Sequence, residues 1–166
     1  MLTKNGRLAL ASLQTHETVS LQARNGGYDS QDYEKIYNSL TPKTSNYGSD
    51  QGVHLDLSDD TGAVTENTYT LNNYINMSNM AITTATRTIN SRGQIVYAFG
   101  GTNTYTSSIT IKKIGLRMKL NSWDQNDNNC YIVAENITPR VVQPGETYSF
   151  TIVIWMSWVA IVNKIG

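Results

Sequence analysis

The sequence is short of nearly everything that chemistry at a protein site draws on. A single cysteine, Cys130, among 166 residues excludes an internal disulfide framework and a zinc site built on several thiolates. Two histidines, His16 and His54, are too few for a histidine-based metal cluster, so no metal or cofactor is expected. Charged residues make up only 16% of the chain, against roughly 25% in ordinary soluble domains. The 13 basic and 13 acidic residues cancel, which argues against nucleic acid as a partner, because a nucleic-acid binder carries a basic excess. A membrane helix takes about 20 apolar residues. The best candidate, FTIVIWMSWVAIV from Phe150 to Val162, is shorter and contains Thr151 and Ser157, so no membrane partner is expected. The start, MLTKNGRLALASLQ, does not read as a secretory signal, and synthesis inside the cell is expected.

Uncharged polarity is what the chain has in quantity. Twenty Thr, fourteen Ser and seventeen Asn supply nearly a third of it, with ten Tyr besides. Thr and Tyr suit pleated strands, while Asn, Gly and Ser suit the turns between them. Helices want Ala, Leu, Glu and Lys, so an all-helical protein is excluded.

Residues 1–50 differ from the rest. Leu2 to Leu21 has no clean period and is readable as either a short helix or a strand. Asn25-Gly26-Gly27 is a break. In YDSQDYEKIYNSL, Asp29 or Ser30 offers an N-cap, and Tyr33, Ile36, Tyr37 and Leu40 fall at helical spacing, which predicts one short helix from about Ser30 to Leu40. Residues 1–50 are expected to form an N-terminal arm and short helix packed on a β-sandwich domain of residues 51–166.

Beyond residue 51 the pattern is strands and turns. Val53 to Leu57 alternates and closes at SDDTG; Met80 to Ile89 and QIVYAFGG form a hairpin across Ser91-Arg92-Gly93. SSITIKKIGLRMKL shifts phase around Lys112-Lys113, as a β-bulge does, with Gly115 beside it. CYIVAE and YSFTIVIWMSW supply further strands, with ITPRVVQPGE, holding Pro139 and Pro144, read as the connection between them. Seven to nine short strands with turns every 8 to 12 residues predict an all-β fold, an antiparallel sandwich or jelly roll, over a parallel sheet.

The sites that could hold chemistry are few. His54 falls in phase with Asp56 and opposite Val53 and Leu55, so it is expected to face solvent, and no nucleophile signature accompanies either histidine. Asp56, Asp59 and Asp60 cluster in LDLSDDTG and could serve a glycosidase as paired carboxylates, and a small hydrolase could use Asp59, Asp60 or Glu135. A turn rich in Ser, Thr and Gly explains them better. DQNDNNCYIVAE, Asp124 to Glu135, has calcium-loop spacing, with Asp124, Asn126, Asn128 and Glu135 at positions one, three, five and twelve. Its flanks are strand-like and broken by proline, so a hairpin loop is the stronger reading. FGGTNT around Gly100-Gly101 lacks the lysine of a phosphate loop. Lys112, Lys113, Arg117 and Lys119 read as a solvated strand face, able to blunt an edge or meet a partner subunit.

SSITIKKIGL (Ser107 to Leu116) and YIVAENITPRVVQPGETYSFTIVI (Tyr131 to Ile154) together resemble a group of small virion structural proteins of tailed bacteriophages. The shared pattern is an I-T-I-x-x-I-G-L strand, a loop, a Y/L-I-x-A-x strand, then P-x-x-V-x-P-G-E leading into a final F-T-x-x-I strand. SDDTGAVTENTYTLNNYI looks like the opening of the same group, and the likeness spans Val53 to Ile154. In the group an acid often precedes Ile-Gly-Leu and an arginine often follows the alanine. Here those positions hold Lys113 and Glu135, which would make a charge-swapped contact if the strands are neighbours.

The resemblance implies assembly without catalysis: a virion subunit at the capsid surface, neck or tail, whose partners are other virion proteins and copies of itself. Lys112, Lys113, Trp155, Met156 and Trp158 are then the candidate intersubunit contacts. The strand carrying the two tryptophans is apolar on both faces, so it is either central in the core or covered by a partner. The alternative is a carbohydrate- or receptor-binding module of a phage fibre, with Trp123 in NSWDQNDNN as its stacking platform.

Overall fold

The computed structural model describes residues 1–44, 50–120 and 128–155, with the backbone alone at Trp155. Two three-stranded antiparallel sheets share one apolar core, a sandwich-like all-β arrangement. The first holds β3 (Gly52–Ser58), β6 (Ile109–Lys119) and β7 (Asn129–Val142), with β6 in the middle. The second holds β4 (Ile82–Ile89), β5 (Gln94–Thr102) and β8 (Thr147–Trp155), with β5 in the middle. Alternation sends Val53, Leu55 and Leu57 from one sheet and Ile95, Tyr97, Phe99, Ile152 and Ile154 from the other into the shared core.

The expected hairpin is present: β4 and β5 pair from Ile89↔Ile95 onward across a turn that Gly93 closes at φ 78°. Asn90 Oδ1 accepts from the amides of Arg92 and Gln94 at 3.0 and 3.2 Å, fixing that turn through its own side chain. The phase change at Lys112-Lys113 coincides with a break in register, since Ile111 faces Arg140 and Lys113 faces Asn136. The extra residues lie in β7, not in β6.

The N-terminal third contains more regular structure than the sequence announces. The undecided stretch is helix α1 (Lys4–Thr15), capped by Thr3, whose Oγ1 accepts from Gly6 N at 3.0 Å and donates to Tyr131 O at 2.7 Å. A hairpin of β1 (Val19–Gln22) and β2 (Tyr28–Gln31) follows. The one expected helix is shorter than its reading. Tyr28 to Gln31 is strand, and α2 runs only Tyr33–Asn38 because Asp32, not Asp29 or Ser30, accepts the capping bond from Lys35 N at 2.8 Å. Helix α1 lies close on β7, where Gly6 stands so near that a Cβ would fall 2.2 Å from Ile132 O.

Sheet edges are treated unequally. The outer edge of β3 is covered by Thr41–Lys43 and by Tyr74–Ile75, through Val53 N→Thr41 O (2.8 Å) and Ile75 N→Leu57 O (3.1 Å). On β7 the first three residues cover the stretch from Ile132 to Ala134, through Thr3 N→Ile132 O (3.0 Å) and Ala134 N→Met1 O (3.1 Å). Edge strand β4 is interrupted between Ile82 and Thr84 and carries Arg87. Of the edge strands in the two three-stranded sheets, only β8 runs beside its neighbour without a register break or a cover among the described residues.

Candidate functional site

Three regions bear on function: a buried charged cluster, a groove and a neutral sheet face. The cluster lies on the side of β3–β6–β7 that turns away from the core. β3 is buried along its whole length, on both faces. The reason is the connection between β3 and β4, which folds back over the sheet and packs Leu71 and Val64 against Tyr131 and Ala134. Gly115 allows this close approach, since a Cβ there would fall 2.7 Å from Leu71 Cδ1 and 2.8 Å from Tyr131 Cε1.

Beneath that cover, Arg117 Nε donates to Asp56 Oδ2 at 2.8 Å and its Nη1 donates to Asn129 Oδ1. The Tyr131 hydroxyl donates to the same Asp56 oxygen at 2.5 Å and is bonded to the hydroxyl of Tyr74. Lys113 Nζ donates to Asp60 Oδ2 at 2.5 Å and to Gly62 O at 2.9 Å, pinning the covering segment to β6. Burial, with the charge of Asp56 added, pushes the Tyr131 hydroxyl well up. Burial alone would pull the Arg117 guanidinium down, but Asp56 outweighs it and the group is raised. The bond from Lys113, joined by the Gly62 amide, holds the Asp60 carboxyl below its usual range. Each charged member is committed to an internal partner, so the cluster is a clasp between sheet and connection.

Three expectations are corrected here. His54 does not face solvent: it is 1% exposed, and its Nε2 donates to Asp50 O at 2.8 Å. The basic stretch is not a solvated strand face either, because Lys113, Arg117 and Lys119 are buried and Lys112 is half-buried. Alternation told which residues share a face, but not that a distant segment covers it. The charge-swapped contact is absent as well: Lys113 stands opposite Asn136, while the exposed Glu135 stands opposite Ile114. Among the intersubunit candidates, Lys113 is therefore turned inward. Trp155 pairs its backbone with Gln94, and Met156, Trp158 and Trp123 lie outside the described residues. So do the first four positions of the calcium-loop reading, while Cys130 to Glu135 is strand within β7. Asp59 is exposed beside Asp60.

The groove, of about 450 Å³, opens between α1, the β1–β2 hairpin and the covering segment. Lys4, Glu66, Asn67, Tyr28 and Tyr69 line it, and Tyr28 is 65% exposed. Sequence reasoning missed it because its walls come from three separated stretches.

The outer face of β4–β5–β8 is the neutral one. Thr84, Thr86 and Thr88 stand over Gly100, Ala98 and Val96, which stand in turn over Ser149, Thr151 and Val153. All the β4 and β8 members of this array are exposed, and none of the nine is charged. At its rim Arg140 pairs with Glu146 at 3.3 Å. No protein-family model matches this chain, and no curated protein or solved structure is similar to it.

Proposed function

We propose that the chain is a non-catalytic structural subunit of a bacteriophage virion, at the capsid surface, neck or tail, docking with copies of itself and with other virion proteins. The observation that carries the reading is the neutral outer face of β4–β5–β8. Docking such a face removes no charge from water, and Thr, Ser and Val leave a flat surface on which a neighbour can pack. The resemblance adds support, since its motifs are β6, β7 and β8 themselves. The clasp fits the same reading: the chain spends its buried charges on holding its own shape. Quantitative mass spectrometry of purified particles tests this. The chain is expected in a fixed copy number per particle, and its absence from particles would retire the proposal.

A second reading, a carbohydrate- or receptor-binding module, rests on the groove. An exposed tyrosine beside Asn and Thr side chains can stack on a sugar ring and bond its hydroxyls. Glycan-array binding that Tyr28→Ala abolishes would favour it; no binding by the parent chain would end it.

A further inference from the structure

We infer that β8 pairs, antiparallel and edge to edge, with β8 of a second copy, joining two β4–β5–β8 sheets into one six-stranded sheet. The inference rests on the assembly reading above and names the edge that performs it. An unpaired strand edge is a template for another chain, and monomeric proteins protect it with a cover, a bulge, a charge or a proline. Of the four edges of the two three-stranded sheets, β3 is covered by the chain's own segments and β4 has both a register break and Arg87. The β7 edge is covered at Ile132 to Ala134 and beyond that carries a register break, Pro139 and Arg140. From Tyr148 to Ile154, β8 has none of these devices among the described residues. Its residues, YSFTIVI, are all strand formers except Ser149. Among the described residues, no backbone partner stands against their amides and carbonyls on the side away from β5.

Charge selects the occupant. A two-fold pairing through β4 would set Arg87 of each copy near its twin, and like charges across strands are destabilising. The same operation through β8 brings only neutral side chains together, with Thr151 nearest the dyad and Ser149 and Val153 on either side. A two-fold edge contact is also self-closing, so it yields a dimer and leaves the remaining surface for other virion proteins. Pairing β8 to the β4 of a neighbour would instead propagate head to tail.

Sedimentation of the purified chain, with Thr151→Lys and Thr86→Lys beside it, decides the matter. The parent chain and Thr86→Lys are expected at twice the 18.5 kDa chain mass, and Thr151→Lys at once that mass with an unchanged far-ultraviolet spectrum. Hydrogen exchange of the parent chain should show the outward amides of β8 gaining protection as concentration rises. A monomeric parent chain, dissociation by Thr86→Lys, or larger rings in which β4 is protected would overturn the pairing. Should Thr151→Lys fail to fold, the concentration dependence of β8 exchange alone decides. A monomeric chain that is present in particles sinks the β8 pairing and leaves the virion role standing. A dimeric chain missing from particles does the reverse.

Discussion

Arg117 keeps 2% of its surface exposed, so Asp56, not water, holds its charge. Removing one partner of a buried pair strands the other. Asp56→Ala is therefore expected to destabilise the fold by about 3–5 kcal/mol in urea unfolding. The Arg7–Glu66 pair, 2.7 Å apart but half exposed on both sides, supplies the contrast: Arg7→Ala should cost no more than about 1 kcal/mol. The buried tyrosines set the alkaline limit. Burial raises Tyr97, whose hydroxyl donates to Leu40 O at 2.7 Å, to about 12, and burial with the charge of Asp56 raises Tyr131 well above its usual value. A raised folded-state value means that the contribution is full below the unfolded value, near pH 10, and drains as pH climbs past it toward 12. Urea midpoints should be flat from pH 7 to 9 and fall above 10, less steeply in Tyr97→Phe. None of this cluster was legible beforehand, because Asp56 and Arg117 are 61 residues apart and alternation had turned both outward.

Among the elements, five strands of the sandwich were readable because each alternates or runs apolar between turn residues, but β7 was readable only as far as Glu135. Pro139 makes ITPRVV look like a connection, whereas β7 runs on to Val142 as an edge strand that tolerates proline. The β4–β5 hairpin was readable to within a few residues from Ser91-Arg92-Gly93 and the strand patterns on either side of it. Helix α1 was not, since Lys4-Asn5-Gly6-Arg7 begins it with two weak helix formers, and its stability comes from docking on β7. Gly6→Ala tests that dependence. The substitution improves intrinsic helix propensity by about 1 kcal/mol, yet its Cβ would meet Ile132 O, so net destabilisation is expected, with loss of hydrogen-exchange protection from residue 4 to 15. Thr3→Ala should cost about 1 kcal/mol as a lost cap, and somewhat more because Tyr131 O also loses its donor.

For the molecule as a whole, fold class was legible from composition: little charge, much Thr, Ser, Asn and Tyr, and frequent turns. The distribution of the charges was not, since zero net charge does not distinguish exposed ions from internal clasps. If copies meet through neutral strands, the association constant should change less than about threefold between 0.05 and 0.5 M salt, where a contact built on surface ion pairs would weaken markedly. Light scattering across that range measures it. The one thiol of the chain adds a second readout. Cys130 is 2% exposed, in β7 and opposite Met118 of β6. A maleimide offered to the native chain should consume it only as fast as those two strands part. Cysteines engineered on the surface can then be labelled while the parent thiol stays silent, and its eventual modification times the opening of the sheet from within.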